Sequence, residues 1–335
     1  MWPLIRVLPV NTHFPFVKFA KYASTISVIL IVASLVSLWK PGLNLGIDFK
    51  GGSRVEMTTP GKALDFKLVE NTLIGLGLKD VKVQAVGAAG AKGGLSNNSA
   101  QAEFQTPQGH DAATAMTQAK VALTKVLGKV TFTGDSVVGP TISGELMQKG
   151  ILALGIAIIL MLFFVWFRFR LSFGLGAVAA LFHDVILTFG LVVLLRLEFT
   201  LDVIAAILTI IGYSMNDTVV VFDRLRENLR KYKKMPLRDV IDLSVNETLS
   251  RTVITGLTAV LALAGLAVFG GPSLFPMAVA LLFGIVVGTY SSIYIASPIV
   301  LLWGIKRGED DDKAKPIDWT PSMMSSGRAP KRSKG

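Results

Sequence analysis

Residues 208–224 read LTIIGYSMNDTVVVFDR and set one carboxylate, Asp217, inside an apolar run. The run extends from Leu201 to Phe222, about the 20 residues that an α-helix needs to cross a bilayer, and is closed by Asp223, Arg224 and Arg226. Just before Asp217, Gly212-Tyr213-Ser214-Met215-Asn216 is small and polar for a segment at membrane depth. An ionised carboxylate in hydrocarbon costs on the order of a few kcal/mol, so Asp217 faces protein or water and has a partner or a proton to exchange. With a rise of 1.5 Å per residue, Asp217 sits roughly 9 Å inside the face marked by Asp223.

Outward from this stretch, residues 223–251 carry Arg224, Arg226, Arg230, Lys231, Lys233, Lys234, Arg238 and Arg251. A basic loop this short obeys the positive-inside rule and is expected in the cytoplasm. Arg251 leads the next apolar run, Val253 to Phe269, and consecutive helices are usually neighbours, so Arg251 is the candidate counter-charge for Asp217. Burial and a nearby guanidinium act in opposite directions on the proton of Asp217, which suits ion or proton movement. A permanent structural ion pair, or a plain polar helix contact, would use the same residues. Ser214 and Thr218 beside the carboxylate would suit sodium as well as a proton. Asp223, Arg224 and Arg226 read as interfacial anchors.

Further apolar runs complete a six-span pattern: Thr25–Trp39 with a softer flank back to Phe19, Gly150–Phe167, Phe173–Leu195, and Phe275–Trp303 after a Gly270-Gly271-Pro272 turn. Arg6, Lys18 and Lys21 precede the first span, which lacks a small-residue cleavage site and reads as a retained signal anchor. His183 and Asp184 fall mid-span and, with Asn216, are candidates for a polar network. Neighbours on a helix point about 100° apart, so one of the pair is expected to face the bundle. Three histidines, His13, His110 and His183, and no cysteine form no evident metal-ligand set, so no metal or cofactor is expected. Gly155, Gly174, Gly176, Gly284 and Gly288 read as close-approach positions between helices.

Residues 44–140 contain no window apolar enough to cross. Alternation at Ser53–Thr59, a helical pattern at Ala63–Leu76, alternation at Val81–Val86, a Gly/Asn-rich connection at Gly87–Asn98, alternation at Ala100–Gln105, a helical Asp111–Leu127 and a strand-like Lys129–Val138 predict a βαββαβ order. That is the ferredoxin-like plan, which names no function. The expected layout is a cytoplasmic N-terminus at 1–19, a first transmembrane helix at 20–40, an external domain at 41–144, helices two to six at 145–304 with the basic loop at 223–251, and a disordered cytoplasmic tail at 305–335. Both termini are then cytoplasmic.

The 335 residues are 51% hydrophobic and 17% charged, which excludes an ordinary soluble protein. The excess of 34 Lys and Arg over 23 Asp and Glu gives orientation in a membrane and does not point to nucleic acid. No Walker loop or nucleophile motif is present, so no enzyme activity is expected.

Several motifs carry a resemblance. Leu45-Gly46-Ile47-Asp48-Phe49-Lys50-Gly51-Gly52 resembles the G-[IV]-D-[FL]-x-G-G signature of the bacterial SecD/SecF family of protein-export membrane proteins. Val138–Gly144, His183-Asp184, Gly212–Thr218 and Asn246–Thr252 resemble the SecF branch, because SecD has a D-L-R-G-G version of the first motif and a larger external region. The resemblance implies a multi-pass protein of the bacterial inner membrane whose six-helix bundle is half of an RND-type fold, with an α+β ferredoxin-like domain between helices one and two. It implies pairing with SecD, association with the SecYEG translocon, with YajC and YidC as further candidate partners, contact with the translocating preprotein, and use of the proton gradient to promote export. It assigns proton transport to Asp217 and Arg251, and makes Gly46, Asp48, Gly51 and Gly52 the connector motif. A passive scaffold for the translocon, or an RND-like small-molecule exporter, is the alternative. The exporter is weakened by the few aromatics of the external domain, Phe49, Phe66, Phe104 and Phe132.

Overall fold

A backbone inside hydrocarbon must satisfy its own amides, and a helix does so within one segment. In the computed structural model six helices among the described residues are long and apolar enough to cross a membrane. The structure describes residues 12–60, 63–85, 98–106, 111–169 and 171–304. Arg6, the Gly/Asn-rich connection up to residue 97, His110, Arg170 and the tail from residue 305 lie outside the described residues.

The first crossing helix, α1 (Phe16–Trp39), leads to a short strand β1 (Asn44–Leu45), a single turn α2 (Ile47–Lys50) and then the small domain. The domain contains β2 (Gly52–Thr58), α3 (Phe66–Gly75), β3 (Lys79–Ala85), β4 (Ser99–Gln105), α4 (Ala112–Leu127) and β5 (Thr131–Val138). Its strands lie in the order β3-β4-β2-β5, each antiparallel to its neighbours, which is the ferredoxin-like arrangement. The apolar face of β2, with Val55 and Met57, packs with Phe104 of β4 and with Leu73 and Leu123 of the two helices. Asp65 and Asp111 fix where those helices begin by accepting amide hydrogens of their first turns. The first helix therefore starts after Asp65, three residues later than the apolar spacing from Ala63 suggests. β4 is buried along most of its length instead of alternating. It is a central strand, and its polar residues Gln101 and Glu103 meet the membrane bundle.

The bundle comprises α1, α5 (Pro140–Arg168), α6 (Leu171–Leu194), α7 (Leu201–Lys231), α8 (Leu237–Phe269) and α9 (Gly271–Ser291). α9 continues through a π-helical turn (Ser292–Ala296) into α10 (Ser297–Trp303), and a two-residue strand β6 (Glu198–Phe199) precedes α7. Small residues set the closest approaches. A Cβ on Gly284 would collide with Ile210, one on Gly288 would lie 2.9 Å from Cβ of Ser214, and one on Gly190 would collide with Ser34. Gly155 meets nothing within 4 Å and is no such position. α5 lies at the rim, with Ile151, Leu152, Ile159, Phe163 and Phe167 exposed.

The basic stretch 223–251, read from sequence as a loop, is mostly helix. α7 runs on to Lys231 and α8 starts at Leu237, so only residues 232–236 turn. Charge ends an apolar run without ending a helix: Arg, Leu and Glu are good helix formers, and hydropathy reports membrane depth only. Similarly α5 begins at Pro140, immediately after β5, well before the apolar run opens at Gly150.

Candidate functional site

Two regions hold the candidate residues: a joint between domain and bundle, and a polar centre among the crossing helices. At the joint, β1 pairs in parallel with β6, so the segment after α1 is stitched to the link between α6 and α7. The Gly46 amide donates to the Phe199 carbonyl at 2.9 Å, and a Cβ there would lie 2.9 Å from the Thr200 methyl. Asp48 accepts the Leu201 amide at 3.0 Å and so caps the start of α7 from another part of the chain. Gly51 and Gly52 both have positive φ, 73° and 143°, and Gly52 passes 2.9 Å, as a Cβ would, from the Phe104 carbonyl. The four connector residues thus work together in one turn.

Beside that turn, Arg54 of β2 bonds Glu103 of β4 and, at 2.8 Å, Glu198 of β6. Ser273 of α9 donates to Glu56 at 3.0 Å. Burial, a hydrogen bond with Glu103 and the charge of Glu103 push Glu198 up to about 8, while Arg54 and Lys82 pull the other way. Glu103 is held below the ordinary carboxylate value: its burial works against this, and the hydrogen bond with Glu198 and the charge of Arg54 outweigh it. The two carboxylates share one guanidinium, that of Arg54. Sequence reading did not find this cluster, because its members come from three separate parts of the chain.

At the polar centre Asp217 is 3% exposed, and its carboxylate is approached by the Thr289 hydroxyl of α9 at 3.5 Å. Arg251 is exposed and acts on Asp217 through its charge, without an ion pair between them among the described residues. His183 and Asp184 are both buried and bonded to each other, His183 Nδ1 to Asp184 Oδ1 at 2.8 Å. Adjacent positions both face inward because α6 is enclosed around more than half of its circumference. Asp184 Oδ2 accepts hydrogen bonds from Ser214 of α7 and from Ser291 of α9 at 2.7 Å, while His183 Nε2 contacts Ser27 of α1 at 3.1 Å. Asn216 does not join them. It is exposed with Gly212 on the opposite face of α7, over a groove lined by Ala157, Met161 and Phe164 of α5.

Sequence reading missed Thr289-Tyr290-Ser291-Ser292. These four consecutive residues bond Asp217, the Ala23 carbonyl, Asp184 and Thr218 in turn. Four hydroxyls in a row within an apolar span were the available signal, and the π-helical turn begins on the last of them. No group of three or more His, Asp or Glu among the described residues is placed to hold a metal ion.

The side of the bundle opposite the domain is held by charges. Arg168 donates to Asp223 at 2.6 Å, and Arg224 bonds Glu227 and Glu247 at 2.6 and 2.7 Å. Asp242 accepts the Val17 amide at 2.8 Å, and Asn246 exchanges two hydrogen bonds with the backbone of Phe14.

Comparison with known proteins gives a consistent picture. The family model described as "Protein export membrane protein SecD/SecF, C-terminal" matches residues 118–306, and the "SecD/SecF GG Motif" matches residues 36–59, which include the connector. Protein translocase subunit SecF of Cereibacter sphaeroides is 43% identical over 312 residues, covering 92% of this chain and 96% of that protein. SecF of Rhodobacter capsulatus is 42% identical and covers 94% and 95%. Protein translocase subunit SecDF of Brucella abortus is 39% identical over 92% of this chain but only 39% of its own length. The crystal structure of SecDF from Thermus thermophilus superposes with a TM-score of 0.75 at 32% identity, over 90% of this chain and 39% of that one.

Proposed function

This chain belongs to the SecD/SecF family of protein export membrane proteins, and from that premise we propose that it pairs with a SecD subunit and uses the proton-motive force to promote export of preproteins through the SecYEG translocon. The observation that carries the proton reading is Asp217, a buried carboxylate at membrane depth with a hydroxyl beside it and, among the described residues, no salt bridge to hold it charged. Proton binding there changes the charge of α7, and a change of charge in low dielectric biases helix packing when two arrangements differ in how they solvate it. α7 begins at the Asp48 cap and α1 ends at the connector, so a shift of either helix reaches the external domain directly.

Two features support a second subunit. In the Brucella abortus relative one chain named SecDF contains a region like this one and more than as much again. In this chain Thr209, Gly212 and Asn216 form a small, polar stripe on the exposed side of α7, and such stripes in membranes are helix contacts. The positive-inside rule puts the Arg224–Arg251 side in the cytoplasm and the small domain outside an inner membrane, where an emerging preprotein, YajC or YidC would meet it. The chain acts as a transport subunit and not as an enzyme.

Replacing Asp217→Asn tests the proposal. With subunit levels checked, proton-driven export into inverted vesicles should fall by about tenfold or more, and secretory precursors should accumulate. Normal assembly together with unimpaired proton-driven export would remove the role given to Asp217.

A further inference from the structure

The second carboxylate of the polar centre has a proton inventory that can be worked out. The Ala23 carbonyl only accepts, so its 2.8 Å contact with Tyr290 Oη uses the single hydroxyl proton of Tyr290. Ser27 Oγ lies 3.0 Å from the same Tyr290 oxygen, and that contact must therefore use the proton of Ser27. Ser27 then has none left for His183, so the 3.1 Å contact at Nε2 requires an N–H on the imidazole. On the other side of the ring, Nδ1 and Asp184 Oδ1 are 2.8 Å apart and also need a proton between them. The pair thus carries one proton more than a neutral imidazole beside an ionised carboxylate.

Its surroundings agree with this. His183 and Asp184 are 2% and 1% exposed, and among the described residues neither pairs with a lysine or arginine. The groups facing them are Ser27 from α1, Ser214 from α7 with Asp217 three residues further along, and Tyr290 and Ser291 from α9. A lone negative charge there would be costly, and the extra proton makes the pair neutral overall.

We infer that His183 and Asp184 together form a second proton-binding site in this chain, with Ser27 and Tyr290 as its relay to α1 and Ser291 tying it to the segment that holds Asp217. Loss of the proton reverses the relay: Ser27 turns to donate to Nε2, Tyr290 turns to donate to Ser27, and the Ala23 carbonyl loses its tyrosine bond and parts from it. The occupancy of the site is thereby read as one hydrogen bond between α9 and α1, the helix that leads to the connector. Its use in export rests on the proton-driven reading above, whereas its occupancy does not.

Nitrogen-15 NMR of histidine-labelled full chain in lipid nanodiscs tests it. The sequence has three histidines, and His183→Gln identifies the resonance of interest. The expected result at neutral pH is a protonated Nε2 on His183, retained in Asp217→Asn, so that the site is separable from Asp217. In Tyr290→Phe, Ser27 is free to donate to the ring and the protonated fraction falls. An unprotonated Nε2 with the hydrogen on Nδ1 alone, in the native chain, overturns the site. Proton-driven export should fall about tenfold or more in Asp184→Asn, and measurably in Tyr290→Phe, which keeps the ring packing. Full export rates in both variants at normal subunit levels would overturn the site's use in export, while the imidazole spectrum alone decides its occupancy.

Discussion

Asp48 carries two duties that a sequence motif alone does not separate. It stands inside the single turn after α1, yet its carboxylate caps α7, whose first amide belongs to Leu201. A helix start left without an acceptor loses about 1 kcal/mol, and an aspartate also complements the positive end of the helix. Asp48→Ala should therefore lower the stability of the chain in detergent by about 1 kcal/mol, whereas Asp48→Asn, which keeps an acceptor oxygen, should cost less than half of that. Equal losses in the two variants, measured by thermal unfolding, would show that the cap is not what the residue supplies. The neighbouring glycines stood out as a motif shared with a family, and the structure supplies the reason, the positive φ of Gly51 and Gly52 that favours glycine. The cap was not readable, since nothing in the sequence brings Asp48 to residue 201. The same limit applies at the polar centre. Asp217 stands out as a charge in an apolar run, but that the hydroxyls of Ser214 and Ser291 converge on Asp184 is visible only once the helices are packed.

Whole elements divide the same way. Six apolar runs and a domain with alternating and helical periods define the architecture, because burial against lipid or a sheet face imposes those periods directly. Helix ends follow other forces. α7 and α8 extend beyond the membrane because their polar turns pack on each other, with Asn228 donating to Ser244 and to Glu247 at 3.1 and 2.6 Å. This extension lets α8 reach the start of α1, which has Pro15 at its cap position and no side-chain cap of its own. Asp242 accepts from Val17, and Asn246 holds Phe14 from both sides. Replacing both residues with alanine should uncap α1, costing about 1–2 kcal/mol locally and speeding amide exchange at residues 14–18 by roughly 5- to 30-fold. Unchanged exchange there, in a folded double variant, would mean that α1 is held at that end by its ring contacts alone, Phe16 with Phe14 and Tyr294.

At the scale of the molecule, the small domain and the bundle meet through a cluster that responds to pH. Arg54 and Glu103 belong to the sheet, Glu198 belongs to the bundle, and the domain cannot leave the bundle without parting them. Glu198 stands at about 8 when docked, against an ordinary 4.5, because burial and Glu103 disfavour its charge more than Arg54 favours it. The docked state therefore binds more protons than an undocked one between those values. The contribution of Glu198 to docking is full below about 4.5, weakens as pH rises through the window and is lost above about 8, whereas Glu103, held below 4.5, works the other way only at more acid pH. If the domain lies outside the cell and the bundle conducts protons as proposed, a proton-motive force acidifies this side and tightens the joint, while the conducted protons leave from the same side. Exchange or protease cleavage at residues 46–52 should accordingly rise between pH 5 and pH 8 in the native chain. Glu198→Gln cannot ionise, so it should stay docked across the range and flatten the profile. A profile in Glu198→Gln as steep as that of the native chain would show that another group controls the joint.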